Sequence, residues 1–239
     1  MNEGDEAPVL EERAPPAERG LDYACFDATQ LIAFNEVGAL DVLGRWFPKA
    51  FMPNVVSEVE VRAHLDKFPQ GQRILDAEWL EAVAVESDEG LELVRFLRED
   101  IWKSGPGKDR GEAEVLALCR DYGWLAILDD DQARKAATRE NIKVPSAMLL
   151  TVIIAAAAHG LIAPGEAWKL HAAIDKERSE KKGLGSFSYL TGQDVHRPAF
   201  MNSTNEFRRI HKKQGEPAWP GLLATPGLDG VVVAVRQKS

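Results

Sequence analysis

The chain has 239 residues, 45% hydrophobic and 28% charged, with a formal net charge of −9. That length suits one sizeable domain with extensions or two small ones, and the composition is that of an ordinary soluble globular protein. The negative total weighs against a module that simply coats DNA, because phosphate contacts need Lys and Arg. It does not weigh against clustered acids that recruit cations and bridge through them to phosphate.

Residues 1–20 read as a disordered acidic arm, with six acids against Arg13 and Arg19, three prolines and little apolar content. No basic stretch precedes an apolar run there, so no signal peptide is predicted. Residues 23–26, Tyr-Ala-Cys-Phe, form a short apolar run that reads as a buried strand ending at Asp27. Two helices are expected around Leu31–Phe34 and Leu40–Leu43, separated by Gly38, then a strand at Ala50–Pro53. Asn54 suits the N-cap of a helix running to about His64. Leu80–Val85 is ambiguous, and Leu91–Trp102 is amphipathic and helical. A polar, glycine-containing loop, 103–109, leads into a helix over Arg110–Tyr122, with Gly123 suited to the position past its end.

Trp124–Leu128 reads as a strongly apolar strand running into Asp129, Asp130 and Asp131 and then a helix over Gln132–Glu140. Val144 lies in an extended piece, and Ser146 suits the cap of a helix reaching His159. The apolar run 148–158 is too short to span a bilayer. Gly165–Lys181 reads as a charged helix, and from Gly183 onward no period is evident, so that region is expected to be an irregular extension. Alternating strands and helices imply an α/β layered domain with a mainly parallel sheet. Cys25 and Cys119 lie in apolar runs and fit reduced core residues of a cytoplasmic protein.

In parallel α/β sheets, ligands gather beyond the carboxyl ends of the strands. Asp27 and Asp129–Asp131 each follow an apolar strand, so two strands deliver acids to one edge. Each Asp also suits a helix N-cap, and the two roles stay open together. At 100° per residue, Glu112 falls inside the arc of Val115, Leu116, Leu118, Cys119 and Tyr122. Glu114 falls on the other side and is expected to be solvated. Glu112 thus reads as an inward carboxylate and, with Asp109, as half of a capping box, two compatible roles. Glu58 and Glu60 flank the arc of Val55, Val56, Val59 and Ala63, and periodicity does not choose between them.

The set Asp27-Ala-Thr29 with Leu31-Ile32, Pro53-x-Val55 with Glu58, Gly111-Glu112-x-Glu114, and Leu128-Asp129-Asp130 followed by Ala133-Arg134 and Ala136 resembles PIN-domain nucleases. The resemblance is nearest to the bacterial and archaeal members that include toxins of toxin–antitoxin pairs, and covers roughly residues 21–163. It implies a three-layer α/β/α sandwich with a central, mainly parallel sheet, plus a C-terminal extension over 164–239. It implies four acids, Asp27, Glu58, Glu112 and Asp130, that bind Mg²⁺ or Mn²⁺ and hydrolyse RNA. Glu60 is a near alternative for the second, and Thr29 matches the hydroxyl residue beside the first. It also implies homodimers and, in the toxin branch, an antitoxin partner.

Hard divalent cations take oxygen ligands, so carboxylates suit them without any Cys/His cluster. Bound metal lowers the pKa of a water and neutralises charge growing on the scissile phosphate. Lys103, Lys108 and Arg110 flank Glu112, and Arg134 and Lys135 follow Asp130, so Lys108, Arg110 and Arg134 are the expected phosphate contacts. The five histidines are scattered and are expected to be surface or packing residues. Arg208–Lys213 is locally basic and reads as a solvated tail. A receiver domain would need a phosphoacceptor Asp after a later strand. A haloacid-dehalogenase-type phosphatase would need a second Asp at position 29, where Thr stands. The competing class that stays open is a PIN-like fold without catalysis, serving as a binding or scaffold module.

Overall fold

A computed structural model describes residues 18–180, 197–214 and 219–224. β1 (Ala24–Phe26) is followed by α1 (Ala28–Glu36) and α2 (Leu40–Trp46). Gly38, at φ +67°, makes the left-handed turn between the two helices. β2 occupies Ala50–Pro53, the predicted span. The expected helix after Asn54 is present, but as a π-helical turn over Val56–Val61 continuing into a 3₁₀ turn at Arg62–His64. The crowding of β-branched residues at 55, 56, 59 and 61 disfavours a regular α-helix there. α3 (Gln72–Leu75) precedes β3 (Leu80–Val83), which resolves the ambiguous segment as a strand.

α4 (Asp88–Phe96) is capped by Ser87 and continues as a π-helical turn over Leu97–Ile101. α5 spans Arg110–Tyr122, as its periodicity predicts, and Gly123, at φ +74°, closes it. β4 (Leu125–Ile127), α6 (Asp131–Ala137) and β5 (Ser146–Ala147) follow. α7 runs over Leu149–His159 and α8 over Pro164–Glu180. The structure corrects the expected cap of α7 and the expected irregularity of the C-terminal region. Ser146 lies in β5 and does not cap α7. The region from 183 onward contains α9 (Arg197–Gln214), an 18-residue helix.

The sheet is five-stranded and wholly parallel, in the order β3-β2-β1-β4-β5. With the helices on both faces it is an α/β/α sandwich, the fold class implied by the sequence. Strand alternation divides the core. Ala24, Phe26, Ala50, Met52, Leu125 and Ile127 face the layer of α1, α2, α7, α8 and α9. Cys25, Phe51 and Ala126 face the layer of α4, α5 and α6. On the second side Trp124 stacks on Phe51 at 3.9 Å and on Tyr122 at 4.5 Å. Its indole N–H donates to the Glu18 carbonyl at 2.9 Å. Arg19 lies over the Tyr122 ring and donates to the Asp121 carbonyl. The last residues of the supposed arm are therefore docked, while residues 1–17 lie outside the described residues.

α9 forms because a sparse stripe is enough when its partner is small. Phe200, Ser203, Thr204, Phe207 and His211 recur on one face and are buried, packed on α7 and α8. α7 ends in a run of alanines, Ala155–Ala158, which lets the helix approach closely. Arg208 is not in a solvated tail: its guanidinium donates to the carbonyls of Ala157 and Ala158 at 3.1 and 3.2 Å and satisfies the end of α7. Beyond it, Leu222 and Leu223 are buried in the core, and Trp219 donates to the Trp46 carbonyl. Among the described residues no helix is long and apolar enough to cross a membrane.

Candidate active site

The strand order reverses between β1 and β4, which are hydrogen-bonded neighbours whose following helices, α1 and α6, lie on opposite faces. Such a switch point opens a crevice at the carboxyl edge of the sheet. Asp27 ends β1 there, and its backbone N–H donates to the Ile127 carbonyl at 3.5 Å. Its carboxylate caps α1, accepting from the Thr29 N–H at 3.3 Å. Asp130 caps α6, accepting from the Ala133 N–H at 2.7 Å. The capping and site roles of these two residues thus coexist.

Asp27 is only 4% exposed. Burial raises its pKa above the usual carboxylate value; hydrogen bonds from Thr29, side chain and backbone, and from the Ala28 N–H oppose that, and the charge of Asp130 adds to the rise. Thr29, expected at the substrate, engages Asp27 itself. Asp129 does something different. It is buried, and its Oδ1 accepts the Leu149 N–H at 2.8 Å, so it supplies from β4 the cap of α7 that Ser146 does not. Because that partner lies 20 residues away, local spacing carries no signal for it.

The α5 acids differ from the arc argument. Glu114, expected to be solvated, is 6% exposed, whereas Glu112 is half-buried. A single apolar arc marks only one covered face. α5 is covered by β1, β2 and β4 and also by α4 and α6, so Ala113 through Cys119 are all buried. Glu114 Oε1 accepts from Arg110 Nε at 2.7 Å. Its charge, like that of Asp27, reaches Cys25, whose thiol pKa is raised chiefly by burial and further by contact with Cys119. Cys25 and Cys119 are both buried thiols. The Asp109 half of the predicted capping box is not formed. Asp109 is left-handed at φ 55°, and its carboxylate takes the Ser104 hydroxyl at 2.5 Å instead.

Glu58 lies in the π-helical turn after β2, and its side chain falls outside the described ones, as does that of Glu60. Among the described residues, no three His, Cys, Asp or Glu side chains come together as a metal-holding group. The cations stand at the same edge. Lys108 is exposed, Arg110 is 53% exposed, and Arg134 is largely covered and pairs with Asp131 at 3.2 Å. A cleft of about 450 Å³, lined in part by Arg19, Ser87, Asp121 and Tyr122, lies at the other end of α5 and is not the acid site.

A parallel 3-2-1-4-5 sheet between helical layers, with carboxylates ending both strands of its switch point, defines the class as an α/β/α sandwich with an acidic edge. The chain belongs to the PIN-domain family: the family model DUF3368, a PIN domain, matches residues 23–177, more than half of the chain and reaching into α8. PIN domains are generally nucleases, and they typically use divalent metals. Comparison with curated proteins and with solved structures gave no match.

Proposed function

We infer that this chain is a metal-dependent endoribonuclease that hydrolyses RNA phosphodiester bonds. The observation that carries the reading is the pairing of Asp27 and Asp130 at the switch point. Asp27 is a buried carboxylate whose ionisation is resisted by burial and by its acidic neighbour, and a divalent cation relieves both penalties. An all-oxygen donor set suits Mg²⁺ or Mn²⁺. Asp27 and Asp130 would hold the ion with Glu112 and Glu58, and Thr29 keeps the Asp27 carboxylate in place. When bound, the metal supplies an activated water and charge neutralisation on the phosphate. Lys108, Arg110 and Arg134 hold the nucleic-acid backbone.

The domain proper is read as residues 21–163, with 164–239 as an extension. Buried thiols at Cys25 and Cys119 suit a reducing, cytoplasmic setting. The toxin reading adds a homodimer and an antitoxin as partners. Growth arrest on expression, relieved by a co-expressed small protein, is its test.

For the enzyme reading, the purified chain is incubated with Mn²⁺ and single-stranded RNA. Cleavage is expected, and it is lost with EDTA or on Asp27→Asn or Asp130→Asn. If neither RNA nor single-stranded DNA is cut, and calorimetry detects no Mn²⁺ binding, the reading is wrong. That result would favour the second reading, a PIN-like binding protein without catalysis. The observation on its side is that the described acids form no group of three.

A further inference from the structure

Arg110 is the first residue of α5, so its charge stands at the positive end of the helix dipole, where a cation is disfavoured. Its pairing with Glu114 runs base before acid, the weaker order for partners four residues apart. Glu114 is nearly fully buried, and a half-exposed cation does not recover the cost of desolvating it. Helix stability therefore does not account for this pair.

Geometry gives it another use. Arg110 Nε donates to Glu114 Oε1 at 2.7 Å, and among the described residues its two terminal nitrogens have no partner. A guanidinium held by Nε presents its terminal N–H groups as a planar fork that matches two oxygens of a phosphate. α5 ends at Gly123, directly before β4, so its first turn stands at the sheet edge where Asp27 and Asp130 lie. Lys108 has no such anchor, and Arg134 gives a terminal nitrogen, not Nε, to Asp131, so its fork is partly occupied. We propose that Glu114 is a positioning residue that holds Arg110 to grip a backbone phosphate of the nucleic-acid substrate. This rests on the nuclease reading.

The test uses the full chain, a fluorescein-labelled single-stranded oligoribonucleotide in EDTA, and anisotropy at several salt concentrations. Mn²⁺ binding is measured separately by calorimetry. Glu114→Gln and Arg110→Lys each weaken RNA binding about tenfold. Arg110→Ala lowers the salt slope by about 0.7, one single-strand phosphate contact. Glu114→Gln adds nothing in the Arg110→Ala background, and Mn²⁺ affinity is unchanged throughout. Additive effects, or loss of Mn²⁺ binding in Glu114→Gln, would overturn the proposal. Should Glu114→Gln not fold, Arg110→Lys decides, because this half-exposed position tolerates exchange: wild-type RNA affinity there sinks the proposal. A wild-type chain that neither binds nor cuts RNA overturns the nuclease reading and this inference with it. A wild-type chain that binds and cuts, with Arg110→Lys unimpaired, overturns this inference alone.

Discussion

Asp27 and Asp129 are both buried acids at strand ends, yet their energetics differ in sign. Asp129 is matched to a helix terminus by a hydrogen bond to the Leu149 N–H. Asp27 is held at a cost. Burial lifts its folded pKa above the ordinary aspartate value, so the folded state holds its proton more tightly than the unfolded one. Stability from this group is therefore greatest at acid pH and is lost as pH rises through the folded value. Without metal, Asp27→Asn should raise the melting temperature, while Asp129→Ala should lose about 1 kcal/mol or more with its cap. Added Mn²⁺ should stabilise the wild type and leave Asp27→Asn unmoved. Thermal melts with EDTA and with Mn²⁺ check all of this, and a lower melting point for metal-free Asp27→Asn would refute the account.

Between elements, the docking of α8 and α9 hinges on His171, buried against Trp168 and Phe200 with no hydrogen bond to either ring nitrogen among the described residues. Burial lowers its pKa from 6.5 to about 4. The folded state thus resists protonation more than the unfolded state. Stability is complete above about pH 6.5 and falls as pH drops toward 4, by about 3 kcal/mol once the group is charged. Denaturant unfolding at pH 7 and pH 4.5 should show the loss, and His171→Gln should flatten it. Elements of this kind also show what local sequence can carry. β2 was legible as a short apolar run and α5 because its large apolar residues recur at helical spacing, and Asp27 and Asp130 because each follows an apolar strand. Glu114 was misread because α5 has more than one covered side, and the α7 cap was missed because Asp129 reaches it from another strand. α9 was missed because its stripe of Phe200 and Phe207 is thin, and its meaning depends on the alanines of α7.

At the scale of the molecule, the family match ends at residue 177, and α9 lies beyond it. α9 and the buried Leu222 and Leu223 nonetheless close the core over α7 and the β4–β5 side of the sheet. A chain ending at residue 180 should therefore lose several kcal/mol of buried aromatic and aliphatic surface. The bared face should drive self-association, read by light scattering behind size exclusion. A monomer with wild-type melting temperature would contradict this packing.

The register at the switch point has a consequence for synthesis. Ala24 pairs with Leu125 and Phe26 with Ile127, so Asp27 at the end of the first strand waits for the fourth before it stands beside Asp130. A chain emerging from the ribosome carries Asp27 early and Asp130 late. Pairing so distant in sequence closes slowly, and the two halves of the acidic edge meet only after translation has passed β4. Partial translation products ending before β4 are thus built without the pair, and any activity that needs it is withheld until the sheet is nearly complete.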